Sequence, residues 1–285
     1  NTKEKAIILK WIEQGAEWKE HWSFLPIQKV KLPVLKKKNE KLRNEIDHFI
    51  YNKIIEQNLD FSEIAKKEKL LRRVYFDLTG LPPSVEEIDD FINDDSPNAY
   101  SKIVDKLLRS DENAERLTME WLDVSRYADS HGLHADGIRT MWPWRNWVIN
   151  AFKENMPYDE FVSVQLSGDL RDNASRDEIL ATAFNRNSPM TAEGGVIDEE
   201  WRLNYVFDRT ETLGTAFLGL TLLCAKCHDH KFDPFSQKDY FQLSAFFNQT
   251  RELGMTGDDG DFGPLLLLPD KSTEKKISNL EEKIN

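Results

Sequence analysis

Apolar residues recur every three or four positions along most of the chain, the spacing that gathers them on one face of an α-helix. Ile46, Phe49, Ile50, Ile54 and Ile55 follow this rule and predict a helix starting near Asn44. A second helix is expected over residues 61–78, with Gly80 as its C-terminal stop, because glycine turns left-handed without steric cost. In "LPPSVEEIDDFI" Ser84 and Glu87 have the spacing of a capping box, where hydroxyl and carboxylate each satisfy an orphan backbone N–H. "SPNAYSKIVDKLLRS" predicts another helix, with Ser96 as cap and Pro97 in its first turn. Residues 112–127 follow, with Leu117, Trp121 and Val124 on one face. Further helices are expected at 6–14, 143–154, in "NMPYDEFVSVQLSG", at 199–213 and beyond, and at 236–248, where Tyr240, Leu243, Phe246 and Phe247 form the apolar side. The tail "STEKKISNLEEKIN" reads as the start of a charged helix, and "GPLLLLPD" is the best strand candidate.

The class expected is therefore all-α, an irregular multi-helix domain with long structured loops. Two stretches break the periodicity and supply those loops: 129–147, "DSHGLHADGIRTMWPWRNW", and 185–196, "NRNSPMTAEGGV". The pattern divides the chain into an N-terminal segment with a Lys-rich linker at 1–40, a helical domain at 41–250, and an acidic loop with the start of a charged helix at 251–285.

Composition adds three constraints. With 40% hydrophobic residues, 8 Trp and 16 Phe, the 285 residues are enough for a substantial core. A net charge of −12 argues against recognition of nucleic acid through its phosphates, which calls for a basic face. No apolar run is long enough for a transmembrane helix, and the start "NTKEKAIILKWIEQGAEWKEHW" is too polar for a signal peptide, so the compartment is inferred from cysteine chemistry.

Both cysteines lie in "LTLLCAKCHDHKFDP". Cys-x-x-Cys-His suits covalent haem c: two thiols spaced by two residues reach the two vinyl groups of one porphyrin, and the next histidine ligates the iron. Those residues are Cys224, Cys227 and His228. The absence of other cysteines, the small-and-apolar run "TAFLGLTLL" and the Trp- and Phe-rich surroundings favour haem. Two rivals stay open. One is zinc on Cys224, Cys227, His228 and His230, with Asp229 or a remote histidine as substitute. The other is a redox or structural disulfide. Covalent haem implies an extracytoplasmic location.

An electron-carrying iron takes a second axial ligand, Met or His. His131, and after it Met190, are the candidates, both in polar loops; an open iron face is the third option. Met119 and Met156 read as core residues, Met255 sits in a Gly- and Asp-rich stretch, His21 and His48 read as surface or packing residues, and His230 lies too near the proximal ligand to cross the ring. For His131 a hydrogen bond to a neighbouring aspartate is an equally good reading. Arg126, Asp129, His134, Asp136, Arg139, Arg145, Asp169, Glu193, Glu200, Arg202, Asp208 and Arg209 cluster in or near the same loops. They read either as buried ion pairs locking helices together, or as a polar pocket in which arginines balance haem propionates and carboxylates bind sugar hydroxyls or a cation. Glu200 with Arg202, and Asp208 with Arg209, lack helical pairing spacing and call for partners elsewhere. Asp229, Asp233 and the "DDGDFG" run at 258–263 lack the spacing of a calcium loop.

Several longer stretches resemble a known family: "LLRRVYFDLTGLPPSVEEIDDFI", "AYSKIVDKLLRS", "WLDVSRYADSHG", "WPWRNWVINAFKENMPYDEFVSVQLSGDL" and "EGGVIDEEWRLNYVFDRTETLGTAFLGLTLLCAKCHDHKFDPFSQKDYFQLSAFFN". Together they cover about residues 42–248 and resemble the planctomycete-type cytochrome family known as DUF1549, or PSCyt2. The opening "ILKWIEQGAEWKEHWSF" resembles the end of the small PSCyt1 cytochrome c domain, and a DUF1553 (PSD1) domain often follows in such proteins. The resemblance implies haem c on Cys224 and Cys227 with His228 proximal, a periplasmic or membrane-anchored location, and genomic company with sulfatases and polysaccharide-degrading enzymes. The function expected is electron transfer within a larger polypeptide, to a redox partner protein or an adjacent cytochrome domain. The alternatives are a haem-dependent oxidoreductase acting on carbohydrate, and a non-haem binding module with a disulfide or zinc site.

Overall fold

A computed structural model describes residues 1–17, 21–35, 39–257 and 260–284. The Lys-rich stretch at 36–38 and the start of the "DDGDFG" run at 258–259 lie outside the described residues. Twelve α-helices and no strand occur among the described residues, so the chain is all-α as the periodicity implies. None of these helices is long and apolar enough to cross a membrane.

Two compact units divide between Ala65 and Lys66. In Asn1–Ala65, α1 (Thr2–Glu13) and α2 (Glu45–Glu56) start from capping boxes at Asn1 with Glu4 and Asn44 with Asp47. Tyr51 of α2 stacks on Phe61, with ring centroids 5.1 Å apart. The helix expected from residue 61 begins only at α3 (Lys67–Thr79), because Phe61 is taken by this stacking.

The second unit, Lys66–Asn285, has three apolar clusters. The first joins α3, α4 (Val85–Asn93) and α5 (Ala99–Leu108) through Leu71, Val74, Tyr75, Phe91, Ala99 and Leu107. Gly80 ends α3 in the left-handed region at φ +73°, and the Ser84–Glu87 capping box is formed. Ser96 does not cap α5. Its carbonyl accepts from Ala99 and its N–H donates to Asp94, closing a turn before the helix starts.

The second cluster centres on Trp144 of α7 (Trp142–Lys153), fully buried, with its indole N–H on the Ala181 carbonyl at 3.1 Å. Phe161 of α8 (Tyr158–Ser167) and Phe184, beyond α9 (Arg176–Ala181), complete it. Helix α6 (Asp111–Val124) packs on this cluster one residue out of the expected register. Trp121 points inward, its ring against Phe161, Phe184 and Phe217 and its N–H on Gln165 at 3.1 Å. Ala114 and Thr118 follow it inward, leaving Leu117 and Val124 exposed.

The third cluster joins α10 (Asp198–Leu213) to α11 (Gln237–Phe247) through Phe207, Leu222, Ala225, Tyr240 and Leu243. After α10 the chain makes a π-helical turn at Gly214–Leu218. Gly214 is required there because a Cβ would meet the Leu222 side chain at 2.6 Å. The segment after α11 is not a free acidic loop: Glu252, Gly254 and Gly260 all bond back to the domain. "GPLLLLPD" forms no strand, having no partner to pair with, and Leu265, Leu267 and Leu268 are exposed. Helix α12 (Lys271–Ile284) forms in the charged tail, with Glu274 paired to Arg176.

Candidate haem-attachment site

The Cys-x-x-Cys-His run lies on a short 3-10 turn, Leu223–Lys226, seated between α10 and α11. Leu222 and Ala225 point inward against Tyr240, which turns Cys224, Cys227 and His228 outward. Both thiols are free and exposed. The backbone N–H groups of Cys227 and His228 converge on the Cys224 carbonyl at 3.3 and 3.4 Å, so the turn brackets both cysteines. Gln237 Nε2 holds the Lys226 carbonyl at 3.1 Å, and the Lys226 ammonium sits 4.2 Å from the centre of the Phe207 ring.

The His228 ring Nδ1 lies 2.8 Å from the Asp229 carbonyl oxygen. A carbonyl can only accept, so Nδ1 carries a proton, and the tautomer this selects has its lone pair on Nε2, as an iron-ligating histidine needs. His230 is used differently: its Nδ1 accepts from the Asp233 N–H at 2.8 Å and its ring packs on Phe235. Asp229 accepts from the Gln237 N–H at 2.8 Å. His228, His230 and Asp229 are thus turned to separate tasks, and among the described residues no three His, Cys, Asp or Glu side chains gather to hold a metal ion. Leu218, Leu223 and Phe232 leave apolar surface exposed around the motif, while Ala216 and Phe217 of the "TAFLGLTLL" run pack inward on the Trp144 cluster. The residues present fit attachment of a porphyrin through two thioethers with a histidine beneath it.

Over residues 45–252 the sequence matches the family described as PSCyt2, protein of unknown function (DUF1549). The chain belongs to the PSCyt2 family. No curated protein and no solved structure matches it.

In this PSCyt2 domain the charged loop residues fall into separate groups. Arg126 and Asp208 form an ion pair between the end of α6 and α10. Arg126 adopts φ +60°, and it lines a cleft of about 380 Å3 with Met119, Leu122, Asp123 and Tyr127. Met119 is exposed there, not in the core, whereas Met156 does pack on the Trp144 cluster. Asp129 receives the Tyr127 hydroxyl and the Met141 N–H, with Arg145 at 4.0 Å. Asp136 accepts from the Gly132 N–H at 2.7 Å; the Ser130 side chain and that N–H hold its carboxyl below the usual range. Arg139 is buried and has no ion-pair partner among the described residues; its donors reach the carbonyls of Ala128, Arg186, Asn187 and Ser188. Burial, and then the Arg186 charge, lower its pKa to about 10.

His131 and Met190 lie side by side and buried, at 3% and 4% exposure. The His131 carbonyl accepts from the Met190 N–H at 2.8 Å, and its ring meets Phe262 and, through Nε2, the Gly260 carbonyl at 3.0 Å, not a neighbouring aspartate. Arg209 finds its remote partner in Glu252, but Arg202 pairs locally with Glu199 one turn back, supplemented by Asn248. His134, Asp169, Glu193 and Glu200 are exposed.

Glu252 and Glu211 carry no motif that singles them out in the sequence. Glu211 of α10 accepts from the Tyr240 hydroxyl at 3.0 Å, directly behind the Cys-x-x-Cys turn. Burial pushes its carboxyl above the ordinary range, against the Tyr240 hydrogen bond and the Lys226 charge, which pull it down. Burial and the Glu211 carboxylate raise the Tyr240 phenol. The only trace in the sequence is the helical spacing of Asp208 and Glu211 on the side of α10 that leads into the motif.

Proposed function

We propose that Cys224 and Cys227 attach haem c, that His228 ligates its iron through Nε2, and that the domain carries electrons. The observation that carries this reading is the His228 Nδ1–H bond to the Asp229 carbonyl, which orients a ligating nitrogen beside two free, exposed thiols. Bound there, haem supplies a one-electron couple. The chain's own part is to seat the turn on α10 and α11 through Leu222, Ala225 and Tyr240 and to offer the apolar side chains of Leu218, Leu223 and Phe232 to the porphyrin.

Electron transfer is favoured over sugar oxidation by what the loop residues do. Asp129, Arg139, Arg202 and Arg209 are engaged by other groups of the protein, which leaves few of the pocket candidates to bind a substrate. A distal role for His131 or Met190 requires either side chain to leave its present packing. The location consistent with covalent haem is periplasmic, with a redox protein or a neighbouring cytochrome domain as partner. The test is expression with a cytochrome c maturation system. The reduced pyridine haemochrome spectrum should show a c-type band that disappears in Cys224→Ala/Cys227→Ala. His228→Ala should keep the covalent haem and alter its spectrum. Haem-free protein from an active maturation host overturns the reading.

A further inference from the structure

We propose that Glu211 is a redox-linked proton acceptor: it takes up a proton from solvent as the haem attached to the Cys224–Cys227 turn gains an electron, and so makes the midpoint potential depend on pH. This rests on the haem reading above.

The placement carries the argument. Tyr240 is buried with Leu222 and Ala225, the two residues that seat the motif, and its hydroxyl reaches back to Glu211 at 3.0 Å. Glu211 therefore stands on the inner side of the turn whose outer side presents the thiols. Among the described residues the groups that face it are Tyr240 from α11, Lys226 from the motif turn, Asp208 from its own helix, and Arg126 from the end of α6. Their charges do not neutralise it. Arg126 is held by Asp208 in an ion pair, and Lys226 lies over the Phe207 ring. What remains on Glu211 is the Tyr240 phenol at 3.0 Å and partial burial; no cation pairs with it among the described residues, and burial raises its carboxyl, so it is ready to be protonated. Asp208, the other carboxylate that faces it, already has a cation.

An electron added on the far side of the turn makes the local potential more negative, which disfavours the carboxylate and favours the acid. The balance is one electron from an external donor protein to the iron and one proton from water to a Glu211 carboxylate oxygen; no bond in the protein breaks. Oxidation reverses both.

The experiment is spectroelectrochemical titration of the matured, haem-loaded chain at a series of pH values from about 5 to about 8, spanning the range of a raised carboxyl. The wild-type potential should fall with rising pH, by about 59 mV in total for each tenfold difference in Glu211 proton affinity between the two oxidation states. Glu211→Gln keeps the shape and the Tyr240 contact and should give a flat profile. Tyr240→Phe removes a hydrogen bond that favours the charged form, and should move the sloping window to higher pH. A flat wild-type profile overturns the proposal, as does a slope that survives in Glu211→Gln. A missing haemochrome band overturns the haem reading and this proposal with it, and is distinguished from both other failures because no potential is then measured.

Discussion

Glu252→Gln is the perturbation that tests the packing most sharply. The Glu252 side chain is 1% exposed and sits between Arg209 at 2% and Arg186 at 18%. Arg209 reaches it with both terminal nitrogens, one bond measuring 2.6 Å, and Arg186 adds another at 2.8 Å. The same guanidiniums hold the Asn185, Phe262 and Gly263 carbonyls, so the carboxylate joins α10, the 185–191 loop and the segment after α11. Glutamine keeps the shape but leaves two largely buried cations without their counter-charge. Removing one partner of a buried pair costs about 3–5 kcal/mol. At about 2–4 °C per kcal/mol for a domain of this size, the melting temperature should fall by roughly 6–20 °C. The assay is thermal and urea unfolding followed by circular dichroism. Glu120→Gln, which breaks the exposed pair with Arg116, is the control and should cost less than about 1 kcal/mol. A Glu252→Gln loss as small as that of the control would refute the reasoning.

Gly254→Ala places a Cβ 1.7 Å from the Asp198 carbonyl oxygen and 2.7 Å from the Arg202 nitrogen, both backbone, so its cost should exceed the about 1–3 kcal/mol of ordinary overpacking; an unchanged urea midpoint would contradict this. Burial pushes the Glu87 carboxyl up, but the Lys106 ammonium and the Ser84 N–H outweigh it and hold the group at about 2, against 4.5 when free. Its contribution to stability is therefore complete above 4.5 and lost as pH falls towards about 2, and Glu87→Gln should flatten that acid limb of the urea midpoint; parallel curves would count against it. Glu211 has the opposite sign: its folded pKa is raised, so its contribution is present below 4.5 and lost as pH rises, and Glu211→Gln should gain on wild type at neutral pH, which a denaturant series at two pH values checks.

Helices, capping boxes and the Cys-x-x-Cys-His motif are legible because each is a local rule. Ser84 with Glu87 and Gly80 behave in the fold as their spacing demands, since a cap needs only its own turn. The facing of α6 was not legible, because it is set by where the Trp121 ring finds Phe161, Phe184 and Phe217, residues far along the chain. The end of the unstructured stretch before α3 was missed for the same reason: Phe61 has helical spacing to its neighbours but stacks on Tyr51. In the candidate site, Cys224, Cys227 and His228 announce themselves by spacing, and Asp208 and Arg209 by lacking local partners. Glu252 and the Glu211–Tyr240 pair carry no such mark; a carboxylate becomes a buried counter-ion or a proton acceptor only through what folds around it.

The central claim is that the exposed thiols of Cys224 and Cys227 and the oriented ring of His228 hold a haem. Its most direct test is the reduced pyridine haemochrome spectrum, read with the intact mass, of the chain matured in a cytochrome c-competent host. A c-type spectrum is expected, with a mass increase of one haem that withstands acid–acetone extraction and vanishes in Cys224→Ala/Cys227→Ala. Full-length protein at its haem-free mass, from a host shown to mature another c-type cytochrome, would contradict it.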